Sequence, residues 1–271
     1  MSLSFGRVVN DQGEISGTTY SIGYMYDDNG VITGMTYPSG RKVTYQTDTL
    51  GRVIRVTAEV NNQVQTLAEN MEYLPFGPAT GFDYGSGTTL QYAFDQRYRL
   101  TGINDGSFRN LGYSYDPAGN ITAITDINDP AGSQAFAYDN LYRLTHAAGV
   151  YGSASYTYDR TGNRLTSTEK GQAGSYTYEP GTNRLVQITG ANPRTFSYDA
   201  NGNTTSSDGM IFTWDHSNRL VSTASENGSS QNPSLISEYV YNAFGQRVIK
   251  ISGGSTTHFV YDQSGNLIAE A

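Results

Sequence analysis

Aromatic and small polar residues alternate along this chain with a period of two, and an acid and a glycine interrupt the alternation at regular intervals. Ser155-Tyr156-Thr157-Tyr158 places Tyr156 and Tyr158 on one face of an extended segment, with Ser155 and Thr157 on the other. Asp159 follows where a carboxylate accepts turn amide hydrogens. Gly162 comes three residues later, where the backbone needs a positive φ, and Arg164-Leu165-Thr166 opens a return strand. The pattern predicts strand, turn, strand: one antiparallel hairpin.

The phrase recurs down the chain as aromatic, any residue, aromatic, then Asp, Glu or Asn. It stands at Tyr24-Tyr26-Asp27, Tyr92-Phe94-Asp95, Tyr113-Tyr115-Asp116, Phe136-Tyr138-Asp139 and Tyr176-Tyr178-Glu179. It continues at Phe196-Tyr198-Asp199, Phe212-Trp214-Asp215, Tyr239-Tyr241-Asn242 and Phe259-Tyr261-Asp262, and Tyr45-Gln46-Thr47-Asp48 is a weaker copy. Glycine falls three residues after the acid at Gly30, Gly51, Gly119, Gly162, Gly202, Gly245 and Gly265, and Asn218 replaces it once. Between Tyr138, Tyr158, Tyr178 and Tyr198 the interval is 20 residues each time. A lone hairpin of that length cannot bury a face, so the units must stack on one another.

The expectation is therefore an all-β chain of stacked antiparallel hairpins in a long curved, spiral or shell-like sheet, with residues 1–271 as a single array. Residues 58–91 lose the acid phrase but keep Gly-rich turns at Leu74-Pro75-Phe76-Gly77-Pro78 and Tyr84-Gly85-Ser86-Gly87, and read as a variant unit. Residues 224–237 stretch one interval and read as a mobile loop. No stretch carries a convincing helical period, and Val64 to Met71 is the one that comes nearest to it.

Composition changes this picture in one respect. Leu, Ile, Val and Phe make up 52 of 271 residues, a share found in disordered chains when net charge is high, but net charge here is −8 and 22 Tyr stand in for the missing aliphatics. The excess of Tyr over Phe predicts an aromatic face in contact with water, since a dry one would leave hydroxyls needing partners. With no Cys there is no disulfide framework, thiol nucleophile or thiolate metal site. No apolar run approaches the roughly 18 residues of a membrane span, and the pI near 4.8 argues against a nucleic-acid footprint. Met1-Ser2-Leu3 reads as an expression scar on a fragment of a longer chain.

Candidate chemistry is sparse. Asp27-Asp28-Asn29-Gly30 and Asp126-Ile127-Asn128-Asp129 lack the full ligand pattern of a calcium loop and read as turns. His146, His216 and His258 are too dispersed for a metal site, and no serine sits in a nucleophile-elbow frame. No catalytic residue, cofactor or metal is expected. The residues that matter are structural: Tyr115, Tyr138, Tyr156, Tyr158, Tyr176, Tyr178, Tyr198, Trp214, Tyr241 and Tyr261 as repeat aromatics, with Asp116, Gly119, Asp159, Gly162, Asp199, Gly202, Asp262 and Gly265 as turn residues. Rows of Tyr from neighbouring hairpins support the sheet by cross-strand contact or, if exposed, stack on sugar rings. Arg99, Arg143, Arg164, Arg184, Arg219 and Arg247 read first as stacking on Tyr or pairing with turn acids.

The Tyr-Asp-x-x-Gly phrases followed by Asn or Arg and then Leu-Thr resemble the YD repeats of the Rhs family of bacterial polymorphic toxins. That pattern is shared with the C components of insecticidal toxin complexes and with teneurins. Tyr73-Leu74-Pro75-Phe76-Gly77-Pro78, Phe82-Asp83-Tyr84-Gly85-Ser86-Gly87 and Arg97-Tyr98-Arg99-Leu100-Thr101 resemble the Rhs version in particular. The resemblance covers essentially the whole chain. It implies a non-enzymatic segment of a hollow shell around a C-terminal toxic domain, secreted or at the bacterial cell surface as part of a larger protein. Its partners would be the remainder of its own chain and, as an alternative function, glycans or a cell surface. Asp116-Pro117 resembles the Asp-Pro turn of that family's cleavage region, but it sits inside a regular repeat and reads as a hairpin turn.

Overall fold

The computed structural model describes residues 8–106, 108–226 and 233–271. Among them the chain is all-β, as the phrases predict: 25 strands join in one antiparallel sheet, and the helical element is the 3-10 turn Pro130–Gly132. The residues fall into two compact units, 1–133 with 261–269, and 134–260 with 270–271. The buried apolar side chains of the first include Ile22, Tyr24, Met35, Val43 and Leu90, whereas in the second several are alanines: Ala147, Ala154 and Ala224.

Most acid-turn hairpins have the same register, and the turn after Glu179 is one residue longer. In the pair Gly152–Tyr158 and Arg164–Glu169, Tyr156 faces Ser167 and Thr157 faces Thr166, but Tyr158 faces Arg164, so Leu165 is an extra residue on the return strand. The same shift occurs at Met25/Tyr26, Ser114/Tyr115, Ala137/Tyr138, Thr177/Tyr178, Ser197/Tyr198, Thr213/Trp214 and Val240/Tyr241. Between hairpins the ladder is shorter. Strand Arg164–Glu169 pairs with Gln172–Tyr178 only from Thr166↔Ser175 to Glu169↔Gln172, so the ladder stops short of Arg164 and Tyr178. Neighbouring hairpins are fully laddered away from the acid turns and unladdered beside them.

The turns close as expected, with φ of 100° at Gly119, 98° at Gly162, 89° at Gly202 and 82° at Gly265. Two turns place tyrosines at the glycine position: Tyr98 and Tyr142, both at φ 61°. Leu74-Pro75-Phe76-Gly77-Pro78 makes the same two backbone bonds as an acid turn, Leu74 N to Pro78 O at 3.1 Å and Gly77 N to Leu74 O at 3.2 Å.

Two stretches that depart from the regular phrasing find their places in the sheet. Val64 to Met71 lies within the strand Gln63–Tyr73, not a helix. Pairing with Val53–Val60 on one side and Ala79–Tyr84 on the other overrides the helix preference of its Leu, Ala, Glu and Met residues, and Asn70, at φ 55°, absorbs an irregularity in the ladder. In the stretch 224–237, Ala224 and Ser225 belong to strand Leu220–Ser225 and Ser234 to Ser237 belong to Ser234–Tyr241, while 227–232 lie outside the described residues.

Two glycines are required for different reasons. A Cβ on Gly162 would meet no atom within 4 Å, so its positive φ alone favours glycine; a Cβ on Gly85 would lie 1.8 Å from the Thr66 carbonyl oxygen. Gly162→Ala should therefore cost about 1 kcal/mol, and Gly85→Ala more than about 2 kcal/mol because backbone must move. Chemical denaturation of the two variants measures the difference, and equal losses would refute the close-approach assignment.

Candidate functional site

The acid turns and the unladdered strand ends beside them form one recurring arrangement. In the turn 159–162, Asp159 Oδ1 accepts the backbone N–H of Thr161 at 2.8 Å and of Asn163 at 2.9 Å, while its Oδ2 accepts from Asn163 Nδ2 at 2.9 Å. Asp116 with Asn120, Asp199 with Asn203, and Asp262 with Asn266 repeat the scheme. In a second version arginine replaces asparagine four residues after the acid. Arg99 Nε donates to Asp95 Oδ2 at 2.7 Å, as does Arg143 to Asp139 and Arg219 to Asp215. Hydrogen bonds to the ionised form hold these carboxyls below their ordinary range, led by the backbone N–H of Arg99 at Asp95 and by the guanidinium of Arg143 at Asp139. At Asp159, desolvation pushes upward, but the hydrogen bonds from Thr161 and Asn163 outweigh it and lower the pKa to about 2.

In seven hairpins an aromatic with a donor at its tip spans the gap left by the missing ladder. Tyr158 Oη donates to the Leu144 carbonyl at 2.7 Å, Tyr178 to Arg164 at 2.9 Å, Tyr198 to Leu185 at 2.7 Å and Tyr241 to Leu220 at 2.9 Å. Tyr115 donates to Leu100 at 2.6 Å and Tyr73 to Val53, while Trp214 does the same with Nε1, reaching Thr204 at 2.7 Å. The acceptor in each case is the first or second residue of the previous hairpin's return strand, beyond the last ladder pair. The rings are half-buried, and burial raises the pKa of Tyr115, Tyr178 and Tyr241. Carbonyl oxygens of the adjacent hairpin partner these hydroxyls, while the half-buried rings keep the contact with water that the excess of Tyr predicts.

Arginine completes the join. Arg99 lies 4.5 Å from the Tyr115 ring centroid, Arg143 lies 4.8 Å from Tyr158 and Arg219 lies 5.0 Å from Tyr241. Each of these pairs with its own turn acid and stacks on the tyrosine of the next hairpin. Arg143 Nη1 also donates to the Asp159 carbonyl at 2.7 Å, tying one turn to the next. Arg164 and Arg247 act differently: Arg164 lies over Tyr156 at 4.5 Å and Tyr176 at 5.6 Å, and Arg247 over Tyr239 and Phe259. A cation, rather than ring-to-ring stacking, thus joins Tyr156 to Tyr176. Tyr138 and Tyr261 occupy the same half-buried second-aromatic position at the ends of Gln134–Tyr138 and Ser255–Tyr261.

The three histidines stay apart: His146 is in strand Leu144–Gly149, His216 in the turn after Asp215, and His258 in Ser255–Tyr261. Among the described residues no group of three or more His, Cys, Asp or Glu could hold a metal ion. In the second unit a groove of about 590 Å³ is lined by Tyr151, Tyr156 and Tyr176 together with Glu169, Gln172 and Arg194. The buried Ser167 lies in its floor, its Oγ 3.1 Å from Tyr176 Oη.

No protein-family model matches the chain, and a search of curated proteins finds no match either. Solved structures do match. A chain of the Photorhabdus luminescens Tc holotoxin pore is 19% identical, covers 90% of this chain and superposes with a TM-score of 0.76. Two crystal structures of TcdB2-TccC3 are 18% and 19% identical over 91% and 93% of this chain, each with a TM-score of 0.77. The fold is that of a toxin-complex chain. This chain spans 14–15% of the length of those it matches. The YD phrases resemble a pattern shared with insecticidal toxin complexes, and toxin-complex chains have the same fold.

Two outcomes follow from this geometry. Tyr158→Phe keeps the ring and removes the bond to Leu144, so it should cost about 1 kcal/mol in chemical denaturation; no loss would mean the hydroxyl bond contributes nothing. Asp159, with a folded pKa of about 2 against about 3.9 unfolded, gives its full contribution above that unfolded value. The contribution is lost as pH falls through the folded value. Asp159→Asn should flatten the fall in stability between about pH 4 and 2, and unchanged acid titration curves would refute the assignment.

Proposed function

We propose that this chain is a non-enzymatic wall segment of an Rhs-type toxin, enclosing a C-terminal toxic domain of the same larger protein. The observation that carries the reading is where the polar chemistry goes. The turn carboxylates take up amides, asparagines and guanidiniums of their own turns, the tyrosine hydroxyls engage the neighbouring hairpin, and the arginines bridge the two. An array so built has extent and stiffness, and its activity is mechanical: it shields a harmful domain until delivery. Its partners are the rest of its own chain, and its place is outside the cell or on the surface of a bacterium that competes with its neighbours. Likeness in fold to toxin-complex chains supports the reading.

A second reading, recognition of a carbohydrate or cell surface, is favoured by the groove between Tyr151, Tyr156 and Tyr176. Rings beside a carboxylate, an amide and a guanidinium suit the faces and hydroxyls of a sugar.

Limited proteolysis of the parent protein tests the first reading. The region after this segment should resist cleavage, and Tyr158→Phe combined with Arg143→Ala should speed its cleavage by about tenfold as hairpins part. Cleavage of that region at equal rates in both proteins would overturn enclosure. Saturable glycan binding abolished by Tyr176→Ala would favour the second reading.

A further inference from the structure

One acid turn makes bonds of a different kind. In the turn 262–265, the backbone N–H of Gln263 donates to Tyr24 Oη at 3.0 Å across a sequence separation of 239 residues. The side-chain Nε2 of the same residue donates to Tyr26 Oη at 2.9 Å. All three residues lie in the first compact unit. Elsewhere in the described residues the strand ladders run between strands that follow one another in the chain, as from Val8–Ile15 to Thr18–Tyr26 and from there to Ile32–Thr36.

Two features single out this contact. Tyr24 is 1% exposed and is the largest fully buried side chain, whereas the corresponding first aromatics Tyr156 and Tyr176 are half-buried. The hydrogen-bond sense is also reversed: Tyr158, Tyr178 and Tyr241 donate to carbonyls, but Tyr24 and Tyr26 accept from Gln263. The position of Gln263 matters too. The residue after the turn acid makes neither of the two backbone bonds that close the turn, and Pro117 and Pro180 occupy it elsewhere. Only a residue with a free N–H there can reach Tyr24.

We propose that Tyr24, Tyr26 and Gln263 form a clasp, a join between the last hairpin and the first that opens before the strand ladders do and whose loss lets the strands on either side of it fray. The ladder between Val8–Ile15 and Thr18–Tyr26 contains a full set of strand bonds, whereas the bonds from Gln263 are neutral and reach tyrosine hydroxyls, one from its backbone N–H and one from its side-chain amide. The inference does not depend on what the array encloses.

Hydrogen exchange on the chain tests it. Gln263→Pro removes both donors yet suits the turn, because Pro117 stands at the same position in a turn with the same closing bonds. Exchange in Thr18–Tyr26 and in residues 262–270 should rise about tenfold, with Gly152–Tyr158 unchanged. Gln263→Ala, which keeps the N–H to Tyr24, should give a smaller rise in the same segments, and Tyr24→Phe a rise confined to them. Arg160→Pro, the matched change in the turn 159–162, should leave both ends unchanged. Wild-type exchange at the ends of Gln263→Pro and Tyr24→Phe would overturn the clasp, as would a rise spread evenly along the chain.

Discussion

The hydrogen bond from a tyrosine hydroxyl to a carbonyl of the preceding hairpin is the constraint on which this structure depends. The bulge that sets the register of each hairpin places an extra residue on the return strand, and the ladder to the next hairpin then stops short of the turn. A strand end left unladdered and half-buried would carry an orphaned carbonyl, which costs about 1–3 kcal/mol if unsatisfied. The tyrosine satisfies it across a gap too wide for backbone to close. Tyr158, Tyr178, Tyr198 and Tyr241 do this in turn, and Trp214 does it with an indole N–H. What one donor does once, repetition makes the rule of the array.

The arginines explain why the turn acids are more than turn formers. Asp139 positions the Arg143 guanidinium, which then covers Tyr158 and reaches the Asp159 carbonyl. A turn is thereby coupled to the ring and turn of the next hairpin, the nearest-neighbour term that stabilises repeat arrays. Where asparagine replaces arginine, as at Asn163, the carboxylate is still filled, but the link to the next turn passes from amide to amide: Asn163 Nδ2 donates to Asn183 at 3.1 Å. The two versions solve one problem with different reach, charged and stacking in one case, neutral and short in the other.

Much of this was legible in the sequence and some was not, for physical reasons. Period two, acid and glycine at fixed offsets and the 20-residue interval specify hairpins that must stack, because those signals are local. The partner of the hydroxyl was not legible, because it lies in another hairpin, on a carbonyl freed by a bulge that no residue type announces. A signal did exist. Phe occurs at the first aromatic position in Phe136, Phe196, Phe212 and Phe259, whereas the second position there is Tyr138, Tyr198, Trp214 and Tyr261, each with a donor. Tyr98 and Tyr142 at positive φ were not foreseen, since glycine and asparagine are the residues that backbone favours. The Tyr98 ring does find a neighbour, lying 2.8 Å from where a Cβ on Gly77 would sit.

The low aliphatic content also has a physical account. In a domain built around one core, leucine and valine are cheap to bury and tyrosine is not, because its hydroxyl must be matched. Here most described strand residues are half-buried, and the buried places of the second unit are shared by alanines and Ser167 with Ile249, Phe259 and Val260. A half-buried aromatic with a donor at its tip covers apolar surface along its ring and satisfies backbone at its end. Replacing the tyrosines wholesale by leucine would supply comparable apolar area and leave a row of carbonyls unmet along the acid-turn edge. The composition that resembles disorder when counted is thus what a thin, repeated sheet requires.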